Sequence, residues 1–261
     1  MLWEILKAGR TNNSDDLFTR LAARSVSVSK RGYIVLPHDT GEFNATAKGN
    51  NIIWEYNGER IQGNTCSFNV LRDNGTIRLA FDEALENLEI RNNNALKADL
   101  SDLGGKITYF LRLDNCQNIT GDLADLGGKI TYFLSLSNCK NITGDLADLG
   151  GKITNTLRMS NCRNITGDLA DLGGKITNIL DLYYCRNISG VYSGNVYPAS
   201  INLSYTGVSA EEMDQNLINL NENTSKKGTF TANGMSRTAA SDAAVAGLIA
   251  KGWTVTGLTK V

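Results

Sequence analysis

The chain has 261 residues, 41% of them hydrophobic and 20% charged, which is enough apolar material for one large or two small buried cores and too much for a disordered chain. Lys plus Arg number 26 and Asp plus Glu 27, so the formal charge is -1 and no global positive field exists to attract a nucleic acid. Apolar runs such as Tyr33 to Leu36 fall far short of the roughly 20 residues that a membrane-spanning helix needs.

Two short amphipathic stretches open the chain, Leu2, Trp3, Ile5 and Leu6, then Leu17, Phe18 and Leu21, joined by polar Thr11 to Asp15. Glu4 and the charges interleaved among them read against a secretory signal peptide. Helices this short are marginal alone in water. Residues 1–25 are therefore expected to be an amphipathic assembly segment that packs on other subunits, with the chain a homo-oligomer.

Residues 26–86 carry strand patterns with Gly and Asn turns: Tyr33 to Leu36, Glu42 to Thr46, Asn51 to Gly58, Cys66 to Leu71, and Gly75 to Phe81 after Asp73-Asn74-Gly75. Phe43-Asn-Ala-Thr-Ala, Trp54-Glu-Tyr-Asn-Gly58 and Gly75-Thr-Ile-Arg-Leu79 are similar to the immunoglobulin-like polycystic-kidney-disease module, which implies a small β-rich domain. His38, the single histidine, reads as a surface-loop residue in Pro37-His38-Asp39.

The middle of the chain is a tandem repeat. Cys116, Cys139, Cys162 and Cys185 recur every 23 residues, and Gly-Asp-Leu-Ala-Asp-Leu-Gly-Gly-Lys-Ile-Thr recurs intact from Gly121, Gly144 and Gly167. Within a unit, Leu111 and Leu113 alternate as in a strand with one buried face, whereas Ile119, Leu123 and Leu126 point inward from a glycine-broken return path. Each unit is then one coil. The pattern L-x-L-x-x-C-x-x-I-T resembles the cysteine-containing leucine-rich repeat, and I-T-G-x-L-x-x-L-G the return segment of its plant-type form; an upstream unit carries Asn93 where the others carry Cys. The resemblance implies an α/β solenoid: a leucine-rich-repeat right-handed coil with a parallel sheet, spanning residues 87–200 and preceded by the Ig/PKD-like β-rich domain and the N-terminal helical segment.

Stacked coils place the four cysteines in one interior column, expected to be reduced and structural. The Asp122, Asp145, Asp168 and Asp125, Asp148, Asp171 rows are expected to be neutralised by the Lys106, Lys129, Lys152, Lys175 row rather than by calcium. Asn118, Asn141, Asn164 and Asn187 sit in N-x-[ST] sequons but are read as corner residues. In residues 201–261, Ser209-Ala-Glu-Glu212 is a capping box before Met213, Leu217 and Leu220; an Ala-rich helix from about Arg237 to Lys251 and a strand Trp253 to Thr256 follow, together a C-terminal cap.

The repeats differ mainly on the strand. By alternation, positions 110, 112 and 114 and their equivalents line an open face, and with the aromatic residues beside them the candidate binding face is Tyr109, Phe110, Arg112, Asp114, Phe133, Ser135, Arg158, Ile179, Asp181, Tyr183 and Tyr184. Aromatic residues mixed with Arg suit recognition of a protein or glycan. The chain has no phosphate-cradling glycine loop, no HExxH and no C-x-x-C, so no enzyme, cofactor or metal site is expected. These features point to a non-enzymatic binding or structural component of a virion, in a phage tail region, whose start resembles those of phage tail proteins. A bacterial surface adhesin and an intracellular adaptor are the alternatives, placing the chain at the cell surface or in the cytoplasm.

Overall fold

In the computed structural model, residues 31–261 are described; the expected assembly residues Leu2 to Leu21 lie outside them. Five strands open this part: β1 (Arg31–His38), β2 (Gly41–Tyr56), β3 (Glu59–Gln62), β4 (Thr65–Val70) and β5 (Gly75–Glu89). Alternation sets their faces, with Phe43, Ala45 and Ala47 of β2, Phe68 and Val70 of β4, and Ile77, Leu79 and Phe81 of β5 all buried. Asn57 and Gly58 both take positive φ, 49° and 84°, the tight hairpin turn between β2 and β3. The chain does not reverse at Gly49-Asn50-Asn51. Two register shifts bend β2 there instead, so the two strands expected on either side are one.

β5 then leads into the repeats. The expected boundary at 86/87 falls inside β5, whose last residues pair in parallel with β6 (Ile107–Arg112). From Gly32 to Val261 the chain is one compact unit.

Parallel pairing continues through β7 (Phe133–Ser135), β9 (Thr156–Arg158) and β11 (Ile179–Asp181), with β8 (Gly144–Asp145) lying between β7 and β9 in sequence on the return path. The register follows the sequence repeat: Leu111 pairs with Leu134, Leu134 with Leu157, Leu157 with Leu180. On the return path β8, β10 (Ile165–Asp168) and β12 (Asn187–Ser189) form a second, three-stranded parallel sheet. The intervening Leu-Ala-Asp-Leu segments, such as Leu123–Leu126 and Leu146–Leu149, are single 3-10 turns that bury both leucines. The whole is a mixed β architecture, mostly parallel in the repeats, with few helices.

Each return turn is fixed by its aspartates. Asp122 caps its turn by accepting from the Ala124 N–H at 3.0 Å and takes the Thr143 hydroxyl of the next unit at 2.9 Å, while Asp125 accepts from the Asp122 N–H at 2.9 Å. Asp145 and Asp168 repeat the capping contact. N–H and hydroxyl donors thus occupy these carboxylates where lysines were expected. Gly144 is obligatory at this crossing: its φ is 117°, and a Cβ there would lie 2.7 Å from the Leu123 nitrogen.

Beyond the repeats come β13 (Ser200–Asn202), β14 (Thr229–Arg237) and β15 (Thr254–Lys260). Ser209 caps the helix Ala210–Asn223 with Glu212 completing the box, and Met213, Leu217 and Leu220 are buried, as the spacing predicts. The second helix is shorter than expected, Asp242–Ala250, because the residues up to Arg237 belong to β14. Trp253 is buried and donates its indole N–H to the Lys226 carbonyl at 2.6 Å. No helix among the described residues is long and apolar enough to cross a membrane.

Candidate binding face

The interior column is as spaced: Cys116, Cys139, Cys162 and Cys185 are fully buried free thiols. Each donates to a backbone carbonyl of the preceding unit, Cys139 to Leu113 at 3.0 Å, Cys162 to Leu136 at 3.0 Å and Cys185 to Met159 at 2.9 Å. Burial pushes the thiols up, to about 11 for Cys116 and about 12 for Cys185. They are structural and chemically inert.

Asn93 takes the same position against a different layer. Its Oδ1 accepts from the Ala95 and Leu96 N–H groups at 3.1 and 3.0 Å, and its amide reaches the Glu42 carbonyl of β2 at 3.4 Å. His38 is not a surface residue. It ends β1 fully buried, with Nε2 3.0 Å from Asn93 Oδ1 and its ring edge-on to Phe43.

On the sheet face the proposed residues fall into separate groups. Tyr109, 45% exposed, stacks on Tyr132 at 4.5 Å between centroids, and Phe110 stacks on Phe133 at 4.2 Å with both rings half-buried. These pairs follow from the register, which sets identical residues opposite each other. Arg112 donates through Nε to Asp114 at 2.6 Å and lies 3.8 Å from Glu89, which also holds Arg91 at 2.7 Å.

Two candidates leave the open face. Ser135 is fully buried and Asp114 is 8% exposed; the Ser135 hydroxyl donates to Asp114, whose carboxylate also takes the Ser137 N–H at 3.2 Å. Alternation gives the direction of a side chain, but a small Ser beside bulky neighbours is covered by them. Arg158 lies one pair further along, and its Nε is buried without a hydrogen-bond partner among the described residues. Ile179 is half-buried opposite Thr156, and Asp181 accepts from the Tyr183 N–H at 3.2 Å.

Tyr183 and Tyr184 belong to a second aromatic group at the corner after the strands. Tyr184 lies 4.8 Å from Tyr205, which itself meets Tyr183 at 5.7 Å. The guanidinium groups of Arg163 and Arg186 lie 5.5 and 4.8 Å from the Tyr184 ring centre. Tyr205, Arg163 and Arg186 escaped the sequence reading. Setting Ile201-Asn-Leu203-Ser-Tyr205 under Leu180-Asp-Leu182-Tyr-Tyr184 is the signal that finds Tyr205. At the other end of the repeats, Asn44, Thr46, Thr65, Glu89, Arg91 and Asn92 line an open cleft of about 350 Å³.

Among the described residues no three His, Cys, Asp or Glu side chains converge as metal ligands. Comparison with family models, with curated proteins and with solved structures finds no match to this chain.

Proposed function

We propose that the 23-residue units are leucine-rich repeats wound as a right-handed solenoid, and that the protein is a non-enzymatic binding component of a virus particle, in the tail region of a bacteriophage. The amphipathic segment at Leu2 to Leu21 would join it to other subunits, and the sheet face would contact a protein or glycan.

One observation carries the reading. Among units that are otherwise nearly identical, the residues that differ lie mainly on the strand and the corner after it, and the strand face carries stacked rings in its first two units, Tyr109 on Tyr132 and Phe110 on Phe133, partly open to water. Aromatic pairs on a solvent-facing sheet supply rigid contact area at small entropic cost. Beside them Arg112, Glu89 and Arg91 form a polar rim of fixed geometry.

The test has two arms. Particles purified from lysates and digested for mass spectrometry are expected to contain this chain; its recovery only from the soluble fraction would remove the virion assignment. Substituting Phe110→Ser with Phe133→Ser is expected to abolish adsorption of the chain to host-cell envelopes while its thermal unfolding stays cooperative. Adsorption unchanged in that variant would refute the face.

A further inference from the structure

We propose that the corner ridge bearing Lys140, Arg163, Arg186, Tyr184 and Tyr205 is a binding site for an acidic polysaccharide, a linear glycan whose sugars carry carboxylates. This site stands apart from the stacked rings at Phe110 and Phe133 and does not rest on their role.

The ridge is cationic by row. Lys140, Arg163 and Arg186 occupy one position in successive units, all are exposed, and none forms an ion pair among the described residues. Their backbone is laced together by neighbouring asparagines: the Asn164 amide donates to the Lys140 carbonyl at 3.1 Å and that of Asn187 to the Arg163 carbonyl at 3.0 Å. Strand-to-strand spacing is roughly 4.8 Å in such a stack, so the three side chains start from closely spaced backbone positions, and an anion of similar repeat lying across them offsets their mutual repulsion.

A second, independent observation is conformational. The residue before the cysteine position adopts left-handed backbone in every unit, with φ of 59° at Asn115, 64° at Asn138 and 63° at Asn161. Tyr184 and Tyr205 hold the same conformation, at 63° and 55°. Their backbone bonds are unchanged in kind: Asn161 donates to the Tyr183 carbonyl as Tyr184 donates to the Ser204 carbonyl. Asparagine satisfies this corner with less strain, so the backbone here does not require a tyrosine. The strain at two bulky residues is therefore tied to what their side chains do.

What they do is chemical. Tyr205, 38% exposed, presents a ring beside the guanidinium groups packed on Tyr184. Aromatic rings take the C–H face of a sugar, and guanidinium groups take its carboxylate in paired hydrogen bonds. A linear polyuronate offers both in every residue. Nucleic acid offers stacking as well, but its charge sits on backbone phosphates apart from the stacked base, whereas a uronate carries its carboxylate on the same ring as its C–H face, which suits guanidinium groups that lie against the Tyr184 ring itself.

The experiment uses the full chain in affinity electrophoresis through gels containing polygalacturonate, with dextran as the neutral control. Retardation is expected in polygalacturonate and not in dextran. Arg163→Ser with Arg186→Ser is expected to weaken it by roughly tenfold or more, and Tyr184→Asn with Tyr205→Asn by roughly tenfold with no change of charge. Phe110→Ser with Phe133→Ser should leave it intact, so failure here and failure of the sheet face are separable. The proposal is overturned by equal mobility in the two gels, by retardation that the tyrosine variants leave unchanged, or by single-stranded DNA competing as well as free polygalacturonate.

Discussion

Nε2 of His38 lies 3.0 Å from Oδ1 of Asn93, and this contact joins the end of β1 to the first repeat unit. Around it the Lys97 N–H donates to the Pro37 carbonyl and the Asp39 N–H to that of Ala95. The pair thus ties the antiparallel strands to the stack. His38→Ala removes a fully buried ring from against Phe43 and one partner from Asn93, and is expected to cost about 2–4 kcal/mol in urea unfolding. Asn93→Ala should cost a similar amount, and the double variant less than the sum, because both act on one network. Strict additivity would show that the contact does not couple the two parts.

The cysteine column predicts silence toward alkylating agents. Native protein at pH 8 should leave Cys116, Cys139, Cys162 and Cys185 unmodified by iodoacetamide, since no thiolate forms and no reagent reaches them; in denaturant all five cysteines should react, as mass spectrometry reads directly. Cys162→Ala takes the thiol from the Leu136 carbonyl, which keeps the Cys139 N–H, and opens a void, at an expected cost of about 1–3 kcal/mol.

The repeat itself was legible because its signals are local and redundant: alternating leucines, a cysteine every 23 residues, a capping aspartate before Leu-Ala-Asp-Leu. Ser209 with Glu212 told the helix start for the same reason. What escaped depends on partners distant in sequence. His38 looks like a loop residue until Asn93, 55 residues on, is placed against it. The Gly49-Asn50-Asn51 cluster has turn composition, yet pairing with β5 keeps the strand going through a bulge. On the face, alternation named Ser135 and Phe133 alike, and only neighbour size separates the buried one from the half-exposed one. The corner tyrosines were half seen, since Tyr205 follows a unit whose period has changed.

Asp214 makes stability depend on acid. It is buried in the helix Ala210–Asn223, which by itself would raise its carboxyl. The hydroxyls of Ser241 and Thr238, the Thr238 N–H and the Arg237 charge outweigh that and hold it below the usual carboxylate range. A native value below the unfolded one stabilises the fold above the unfolded carboxylate value, about 4, and the contribution fades as pH falls through the native value. Thermal melts should therefore drop steeply below about pH 4. Asp214→Asn should melt lower at pH 7, because its amide oxygen replaces only part of the acceptor set, and should lose less on acidification. Parallel acid limbs for the two proteins would refute the assignment.

Tyr184→Asn separates strain from contact. Asn138 donates its amide to Asn115 at 2.6 Å, and Asn161 to Asn138 at 2.9 Å; the ladder stops where Tyr184 begins. The substitution relieves a bulky residue at φ 63° and supplies an amide in line with Asn161, together a gain of about 1–3 kcal/mol. Against it stand the lost contacts with Arg163, Arg186 and the two neighbouring rings, each worth about 0.5 kcal/mol at a half-exposed site and so about 2 kcal/mol together. The opposing terms nearly cancel, so chemical denaturation should place the variant within about 1 kcal/mol of the parent, far from the 3–5 kcal/mol that truncating a core aromatic costs. A loss of that larger size would mean the ring is a packing element, and the left-handed tyrosines would need no ligand to explain them.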